Sequence, residues 1–380
     1  MKQLTKYILS FSLLFLSGCW DQNELTEFVF VQSLAVDQTK DGNIKLTTQF
    51  YKPSPKIASS GGGGDVSFVN IETEGKTMFD AIRDITIHIG RKAHWGHVRF
   101  IVMSDKVAKK NIAQMLEFFY RDHEPRLLTG FAITKGKASD YLQTKPHIEN
   151  TISEQLNEAT KSGGKFSGKA YPTNLYTLGK QIHSETQTAY APLLSKDSSK
   201  NNMIIIDGLA IFHKAKLKQI LSNKDTKYLM LVMKEFQSGI IELPCPKSDL
   251  KESYEVLDVQ TKTSVSTKRD GIHYKIEPKL QMAIGEMQCT TIEDRSHMEE
   301  LNKKLEKQID RQIHDLLKKS QKKNTDIIGL GNAIYHYEPE EWDKIKKEKK
   351  PYYKTATIHV KTKVNVVNTG TDIGIPFSPK

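Results

Sequence analysis

The chain has 380 residues, of which 38% are hydrophobic, and a formal net charge of +11. Because this length exceeds what one hydrophobic core usually organises, we expect two or three domains. Basic and acidic residues are interleaved along most of the chain, and no basic tract is interleaved with aromatics, which argues against a nucleic acid partner. The moderate positive charge favours a position near an anionic lipid surface or wall polymer.

The first eighteen residues have the pattern of an export leader. Lys2 and Lys6 precede an apolar run from Tyr7 to Leu16, which is too short to span a bilayer but suits the apolar region of a signal peptide. Leu16, two small residues and then Cys19 form the pattern that a lipoprotein signal peptidase accepts. We therefore expect residues 1–18 to be removed and Cys19 to carry a diacylglyceryl thioether at the mature N-terminus.

This lipid would hold the mature protein on the outer face of the cell membrane. Each buried methylene contributes about 0.8 kcal/mol and one acyl chain holds only marginally, so two chains make a durable anchor. The exported part would carry a charge of +9, since Lys2 and Lys6 leave with the leader. The alternative is an uncleaved N-terminal membrane helix with an incidental cysteine. The lipid on Cys19 is the only bound group expected, and no cofactor is predicted.

Two further cysteines, Cys245 and Cys289, would face the same oxidising exterior, which allows them to pair. A bridge would close a loop of about 45 residues, worth roughly 4 kcal/mol in the chain-entropy model. A disulfide needs a short distance between the two side chains, and the sequence alone leaves both the bridge and two free thiols open.

Alternating polarity, helical spacing and turn formers predict the elements of the first half. Thr77 can cap a helix that Gly90 can end, and Asp105 can cap another that runs to about residue 120. Residues 53–65 include four consecutive glycines but lack the Gly-Lys-Ser/Thr of a phosphate cradle, so we expect a surface loop. The other predicted elements are strands over 28–37, 44–51, 97–103 and 127–134 and helices over 150–162 and 173–182.

A polar stretch over 196–202 is the predicted linker between an N-terminal α+β region, 19–195, and a C-terminal α+β domain, 203–380. In the C-terminal domain Asp270-Gly271 predicts a hairpin. Ser296 and Glu299 form a capping-box pattern before the longest helix. We expect its apolar stripe to pack on a sheet, with a coiled-coil partner as the alternative. The remaining predictions are strands over 203–212, 217–221, 239–243, 254–267, 272–282 and 353–367 and helices over 225–234 and 326–335.

These elements predict an α+β fold with two or three lobes, in which helices cover mixed or antiparallel sheets. His94 and His97 are three residues apart and invite a metal interpretation. A zinc site needs three or four ligands and none follows at suitable spacing, so we interpret both as structural or surface histidines. No nucleophile motif, paired acids or metal cluster occurs at usable spacing, and the sequence therefore predicts a protein without catalytic activity.

Several short motifs resemble one known family. Cys19 is followed by Trp20-Asp21 and Glu24-Leu25, a strand ends at Asp37, a basic segment leads into Gly96-His97, and Gly208-Leu209-Ala210-Ile211-Phe212 opens the second half. The chain resembles the C-subunit lipoproteins of bacterial spore germinant receptors, the Ger(x)C or GerAC-like family. The resemblance implies the same α+β fold class, membrane lipid as a partner, and two integral membrane subunits, of the A and B types, on the inner spore membrane.

Two other functions compete with this interpretation. A solute-binding lipoprotein of an importer would show a more regular alternation of strands and crossover helices. A wall-associated lipoprotein enzyme would need catalytic residues that are not evident in the sequence. If the chain is a receptor subunit, Trp20, Asp21 and Glu24 are the candidates for partner contact, because tryptophan suits the headgroup zone and acids can pair with basic groups. The alternative is that these residues only order the first turn of the chain.

Overall fold

The computed structural model describes residues 24–51, 68–246 and 248–368, and folds them into two sheets with covering helices. The predicted α+β class is confirmed, with mixed sheets in two lobes. The predicted leader, Cys19, Trp20, Asp21 and the glycine-rich loop over 53–65 lie outside the described residues. In the described part, no helix combines the length and apolar character needed to cross a bilayer.

The first sheet has nine strands, in the order β3-β2-β1-β5-β6-β7-β8-β9, with β4 beside the start of β1. They are β1 (Phe28–Gln38), β2 (Ile44–Tyr51), β3 (Phe68–Gly75), β4 (Lys92–His94), β5 (Phe100–Ser104), β6 (Gly130–Thr134), β7 (Thr188–Asp197), β8 (Met203–His213) and β9 (Lys216–Leu221). The neighbours β1, β5, β6 and β7 are parallel, so these four strands begin at one end of the sheet and finish at the other.

Among the described residues, six α-helices accompany this sheet: α1 (Met78–Ile89), α2 (Asp105–Ala108), α3 (Ile112–Arg121), α4 (Ser139–Leu142), α5 (Ile152–Ser162) and α6 (Leu175–Ile182). Helix α1 has the predicted ends, because the side chain of Thr77 accepts a hydrogen bond from the Asp80 N–H at 3.1 Å and Gly90 closes the helix at φ 63°. The single helix predicted from Asp105 is wrong. Ser104 caps the short α2, and Asn111 restarts the chain as α3.

The second sheet runs β10 (Gly239–Pro244), β11 (Lys251–Lys268), β12 (Gly271–Glu286), and β13 (Thr357–Val360) and β14 (Lys363–Asn368) both lie parallel to β12. The predicted hairpin is β11–β12, with Lys268 opposite Gly271. The expected single last strand is divided into β13 and β14, preceded by a short helix. The helices of this lobe are α7 (Asn223–Met233), α8 (Arg295–Lys322), α9 (Leu330–Tyr337), α10 (Pro339–Glu348) and α11 (Tyr352–Thr355).

Helix α8 covers the second sheet in two ways. Its predicted apolar stripe is buried from Leu301 to Leu316, in favour of the core interpretation over the coiled coil. Its polar residues also accept hydrogen bonds from backbone N–H groups along the free edge of β14. The side-chain oxygens of Asn302, Glu306 and Asp310 accept hydrogen bonds from the N–H groups of Val366, Val364 and Thr362 at 3.1, 3.1 and 2.9 Å. Because unpaired strand edges invite aggregation, this contact protects the sheet. The predicted capping box is wrong, since Asp294 caps the helix.

The predicted linker, 196–202, connects two strands of the first sheet. Its first residues end β7, a short 3-10 turn follows, and β8 returns antiparallel to β7 in the same sheet. The change from one sheet to the other comes after β9, that is, after Leu221. The polar composition of this stretch marks an exposed hairpin turn, which resembles a linker in sequence because both are solvated.

Gly208 allows β8 to pack closely against β9, because it has no Cβ. It lies beside a bulge between β7 and β8 at φ 140°, and a Cβ built on it would meet the Leu221 carbonyl oxygen at 2.1 Å. Gly271 has a similar φ of 127°, but a Cβ there would meet nothing within 4 Å. An alanine at Gly271 would therefore cause backbone strain alone, whereas an alanine at Gly208 would cause both strain and steric overlap.

We expect Gly208→Ala to destabilise the protein more than Gly271→Ala. Both variants carry the cost of an unfavourable φ, about 1–3 kcal/mol, but only Gly208→Ala forces β8 and β9 apart. Urea unfolding of both variants measures the difference. Equal midpoints would contradict the packing of Gly208 against β9.

Candidate functional site

The carboxyl ends of β1, β5, β6 and β7 meet at one edge, where ligands of open parallel sheets commonly bind. Asp37, at the end of β1, is buried and accepts hydrogen bonds from the N–H groups of Ala138 and Ser139 at 2.9 and 2.8 Å. It therefore fixes the start of α4, and it also lines one of the cavities at this edge. This contact explains why the strand ends in an acid.

Two adjoining cavities, of about 560 and 400 Å³, lie at this edge and share Gly136, Lys137 and Asp140. We call them together the carboxyl-edge cleft. Lys196 spans part of it by donating to the Asp140 carbonyl oxygen at 2.8 Å, and Lys45 pairs with Glu72 at 2.7 Å. The cleft carries both signs of charge, so it suits a small charged or zwitterionic solute better than an apolar one.

The opposite end of the sheet carries the described residues that are nearest to Cys19 in the sequence. Glu24, the one predicted contact residue within the described part, is exposed and precedes a 3-10 turn that leads into β1. Nearby, His94 contacts Glu124, with 2.8 Å between Nδ1 and the carboxylate, and the Trp95 N–H donates to the same carboxylate at 2.9 Å. Burial disfavours the charged form of Glu124, but these contacts outweigh it and lower its pKa.

His94 and His97 have ring centroids 5.9 Å apart and pack against Phe30. They do not belong to a group of ligand atoms close enough to share a metal ion in the described part of the chain. His97 is largely exposed, and partial desolvation together with the neighbouring His94, Arg126 and Arg99 lowers its pKa. The pair therefore lies in an aromatic cluster where β4 pairs with the first residues of β1.

The structure pairs Cys245 with Cys289, with an S–S distance of 2.03 Å and 6.0 Å between the Cα atoms. Beside the bridge, Glu252 is buried, and one of its oxygens accepts hydrogen bonds from the N–H groups of Gln288, Cys289 and Thr290 at 3.3, 2.9 and 2.6 Å. Its other oxygen accepts from the hydroxyls of Tyr254 and Thr290. Both sulfurs are bonded and both carboxylate oxygens are occupied, so this group is a structural clamp and not a free metal site.

The two sheets meet at a polar joint around Asp326, which is buried. Its carboxylate accepts hydrogen bonds from the N–H groups of Ile328, Leu330 and Gly331 at 3.2, 3.0 and 2.8 Å and from the Tyr352 hydroxyl at 3.0 Å. Burial raises the pKa of this carboxyl above its ordinary value, although the hydrogen bonds oppose the shift.

Three contacts cross the joint from the first lobe. The Tyr190 hydroxyl donates to the Ile327 carbonyl oxygen at 2.9 Å, and the Thr186 N–H donates to Asn332 at 3.1 Å. In the third contact the Trp342 indole N–H donates to Glu185 at 2.8 Å. Glu185 also pairs with Lys346 at 3.1 Å. Buried apolar residues of both lobes form one core cluster at this place. The described lobes are therefore joined by a shared core and not only by a flexible connection.

Comparison with known proteins assigns this arrangement to a family. One family model, described as the spore germination protein N-terminal domain, matches residues 21–196. Another, described as spore germination B3/GerAC like, C-terminal, matches residues 207–370. The chain belongs to the GerAC-like family of spore germination proteins. The resemblance noted in the sequence is thereby confirmed.

Relatives of this GerAC-like protein match it along almost its full length. Spore germination protein KC of Bacillus subtilis (strain 168) is 26% identical, with 97% of this chain and 96% of that protein covered. Spore germination protein B3 of the same organism is also 26% identical, with coverages of 98% and 99%. The crystal structure of the GerBC protein superposes with a TM-score of 0.59 at 20% identity, over 88% of this chain and 97% of that one, which supports a common fold.

The predicted site residues have different outcomes. Cys245 and Cys289 come together, Glu24 is exposed at the start of β1, and Cys19, Trp20 and Asp21 lie outside the described residues. Sequence reasoning missed Glu252 and Asp326. Asp326 follows a polar helix end and precedes an apolar segment, which gives a weak signal for a buried cap. Glu252 gave none, because its backbone N–H donors come from a distant loop.

We expect Glu252→Gln to lower stability at neutral pH by about 1–3 kcal/mol, because an amide cannot accept all the hydrogen bonds of the carboxylate. Hydrogen bonds from Cys289, Thr290 and Tyr254 outweigh the burial that opposes ionisation and lower the pKa of Glu252. A lowered pKa gives stability that is present above the pKa of an unfolded glutamate and is lost as the pH falls through the folded value. The difference from wild type should therefore shrink in acid.

Thermal unfolding between pH 7 and pH 3, with the disulfide intact, measures this difference. Glu242→Gln is the matched control, since Glu242 is an exposed residue of the neighbouring β10 that pairs with Lys251. A Glu252→Gln deficit that stays constant with pH would contradict the proposed role of the charge.

We expect Asp326→Ala to cost about 3 kcal/mol or more, because it leaves buried N–H groups and the Tyr352 hydroxyl without their acceptor. Asp343→Ala, an exposed change on the nearby α10, should stay within about 0.5 kcal/mol of wild type. Urea unfolding followed by tryptophan fluorescence compares them, since Trp342 lies at the joint. Equal stability of the two variants would show that Asp326 does not hold the lobes together.

Proposed function

We propose that this GerAC-like protein is the lipid-anchored, non-catalytic subunit of a nutrient germinant receptor, held on the outer face of the inner spore membrane. Membership of a spore germination family along almost the whole chain is the observation that carries the proposal. The leader and Cys19 supply the anchor, with its two acyl chains. Integral membrane subunits of the A and B types are the proposed partners.

The joint between the lobes supports a role in assembly. A shared core, the buried Asp326 and three crossing polar contacts favour a single rigid body over two independent modules. A rigid body on a short tether presents the same surface to a neighbouring membrane protein each time they meet. This geometry lowers the entropy cost of association and suits a subunit that stabilises a complex.

Three buried carboxylates of the described residues serve the fold. The carboxylates of Glu252, Asp326 and Asp37 each accept hydrogen bonds from backbone N–H groups and fix the fold. A general base needs access to the proton that it removes, and these three acids are buried with their oxygens already engaged. Their geometry is that of structural clamps.

The carboxyl-edge cleft favours a second candidate function, the binding of a small charged solute. It lies where parallel strands end and carries Lys137, Lys196 and Asp140 within reach of one another. Calorimetric titration of the purified protein with amino acids tests this candidate, and Lys137→Ala is the variant that should weaken any binding. Heat signals that are unchanged by Lys137→Ala would exclude the cleft as the binding site.

We expect Cys19→Ala to move most of the protein out of the membrane fraction, because the acyl anchor disappears while the folded body is unchanged. Fractionation with immunoblotting measures retention, and mass spectrometry of the N-terminal peptide reports the leader and the lipid. Ser12→Ala, which changes the leader but keeps the cysteine, is the control. Full retention of a leader-free Cys19→Ala protein would contradict the anchor.

A further inference from the structure

The most exposed large hydrophobic side chains of the described residues lie at one end of the first sheet. Ile148, Ile87, Leu25 and Leu128 are 91%, 79%, 77% and 76% exposed, and they have the highest values among such side chains in the described part of the chain. Scattered exposed apolar residues are ordinary on a protein surface. The concentration of the four most exposed ones at one end is not.

The strand register places two of these residues at the end where the parallel strands begin. Leu25 lies in the turn that leads into β1. Ile87 lies in the last turn of α1, just before β4, and β4 pairs with the first residues of β1. Both side chains therefore border the entry point of the described chain.

Two further contacts bring the other residues to the same end. Leu128 precedes β6, whose first residue, Gly130, donates to the Arg99 carbonyl oxygen just before β5. Ile148 precedes α5, and the first turn of this helix is tied to Arg99 by the ion pair with Glu154 at 2.7 Å. We call this surface, bearing Leu25, Ile87, Leu128 and Ile148, the anchor-side end.

The length of chain between Cys19 and Glu24 limits where this end can lie. Five residues reach at most about 18 Å when fully extended. If Cys19 carries the acyl chains, as the proposed function requires, Glu24 cannot lie further than that from the headgroup zone, and β1 begins four residues later, after a single 3-10 turn. The anchor-side end is then the part of the described body that meets the lipid first.

The charges at this end leave the apolar side chains as its main source of lipid affinity. Arg91, Lys92 and Arg126 are exposed and suit phosphate groups, whereas Glu24 and Glu27 are exposed acids on the entering turn. Because these charges largely cancel, electrostatic attraction to anionic lipid is modest. The four apolar side chains come from four separate segments, which suits a broad lipid surface better than one compact protein pocket.

We propose that the anchor-side end lies on the membrane surface, with Leu25, Ile87, Leu128 and Ile148 entering the headgroup region. This inference rests on the proposed function, because it takes the tether from the lipidated Cys19. The contact fixes the orientation of the body above the membrane. The carboxyl-edge cleft, at the other end of the parallel strands, then faces away from the lipid.

Single-site labelling of the full lipidated protein in vesicles tests the orientation. Leu128→Cys and Ile87→Cys each accept an environment-sensitive fluorophore, because the two native cysteines of the body are bonded to each other. Phe166→Cys is the matched control. It is 65% exposed and follows α5 at the opposite end, where Gly163 lies against Ile206 of β8. Vesicles of phosphatidylcholine with phosphatidylglycerol carry a quencher in the headgroup region.

We expect at least about twofold more quenching at positions 128 and 87 than at position 166. Equal quenching at all three positions, or no quenching at 128 and 87 while mass spectrometry shows lipid on Cys19, would overturn the inference and leave the anchor intact. Quenching that disappears while the labels become shielded on addition of the receptor's membrane subunits would assign the surface to a protein partner instead. An unmodified Cys19 with no protein on the vesicles would refute the proposed function itself.

Discussion

The polar joint around Asp326 helps to hold the two described lobes in one arrangement. A buried carboxylate is costly unless its oxygens are hydrogen-bonded, and here three backbone N–H groups and the Tyr352 hydroxyl satisfy it. Those donors fix the turn before α9. This turn also places Ile327 against Tyr190 of the first lobe and Asn332 against Thr186. One acid thus determines how the second sheet is attached to the first.

The same principle recurs at the ends of strands and helices. Asp37 fixes the start of α4, Glu252 holds the loop that carries Cys289, and three polar residues of α8 cover the free edge of β14. In each case a side-chain oxygen accepts hydrogen bonds from backbone N–H groups that secondary structure leaves unpaired. The body is therefore stabilised by local clamps in addition to its apolar core, which favours a fixed shape over a mobile one.

A fixed shape gives the two ends of the first sheet different surroundings. One end carries the exposed apolar side chains and the connection to Cys19, and the other carries the charged carboxyl-edge cleft. For an anchored receptor subunit, this polarity would direct one end toward lipid and leave the other accessible to solutes or partners. The rigid joint would then transmit any force on one lobe to the other without a hinge.

Several local features of this protein could be predicted from its sequence. The hairpin at Asp270-Gly271, the cap at Thr77 and the apolar stripe of α8 all follow from the preferences of neighbouring residues, which act over a few positions. The family resemblance likewise rested on short motifs. One local prediction was wrong, because Ser104 and Asn111 divide the helix expected from Asp105. The polar stretch that was interpreted as a linker forms the hairpin turn between β7 and β8.

Contacts between distant segments became evident from the fold. The pairing of Cys245 with Cys289, the donors of Glu252 and Asp326, and the gathering of Leu25, Ile87, Leu128 and Ile148 at one end join segments that are far apart in the chain. No periodicity or spacing records such contacts, because they depend on sheet order and register. Whether an acid is a solvated surface group or a buried clamp is set by the N–H groups that the fold brings to it.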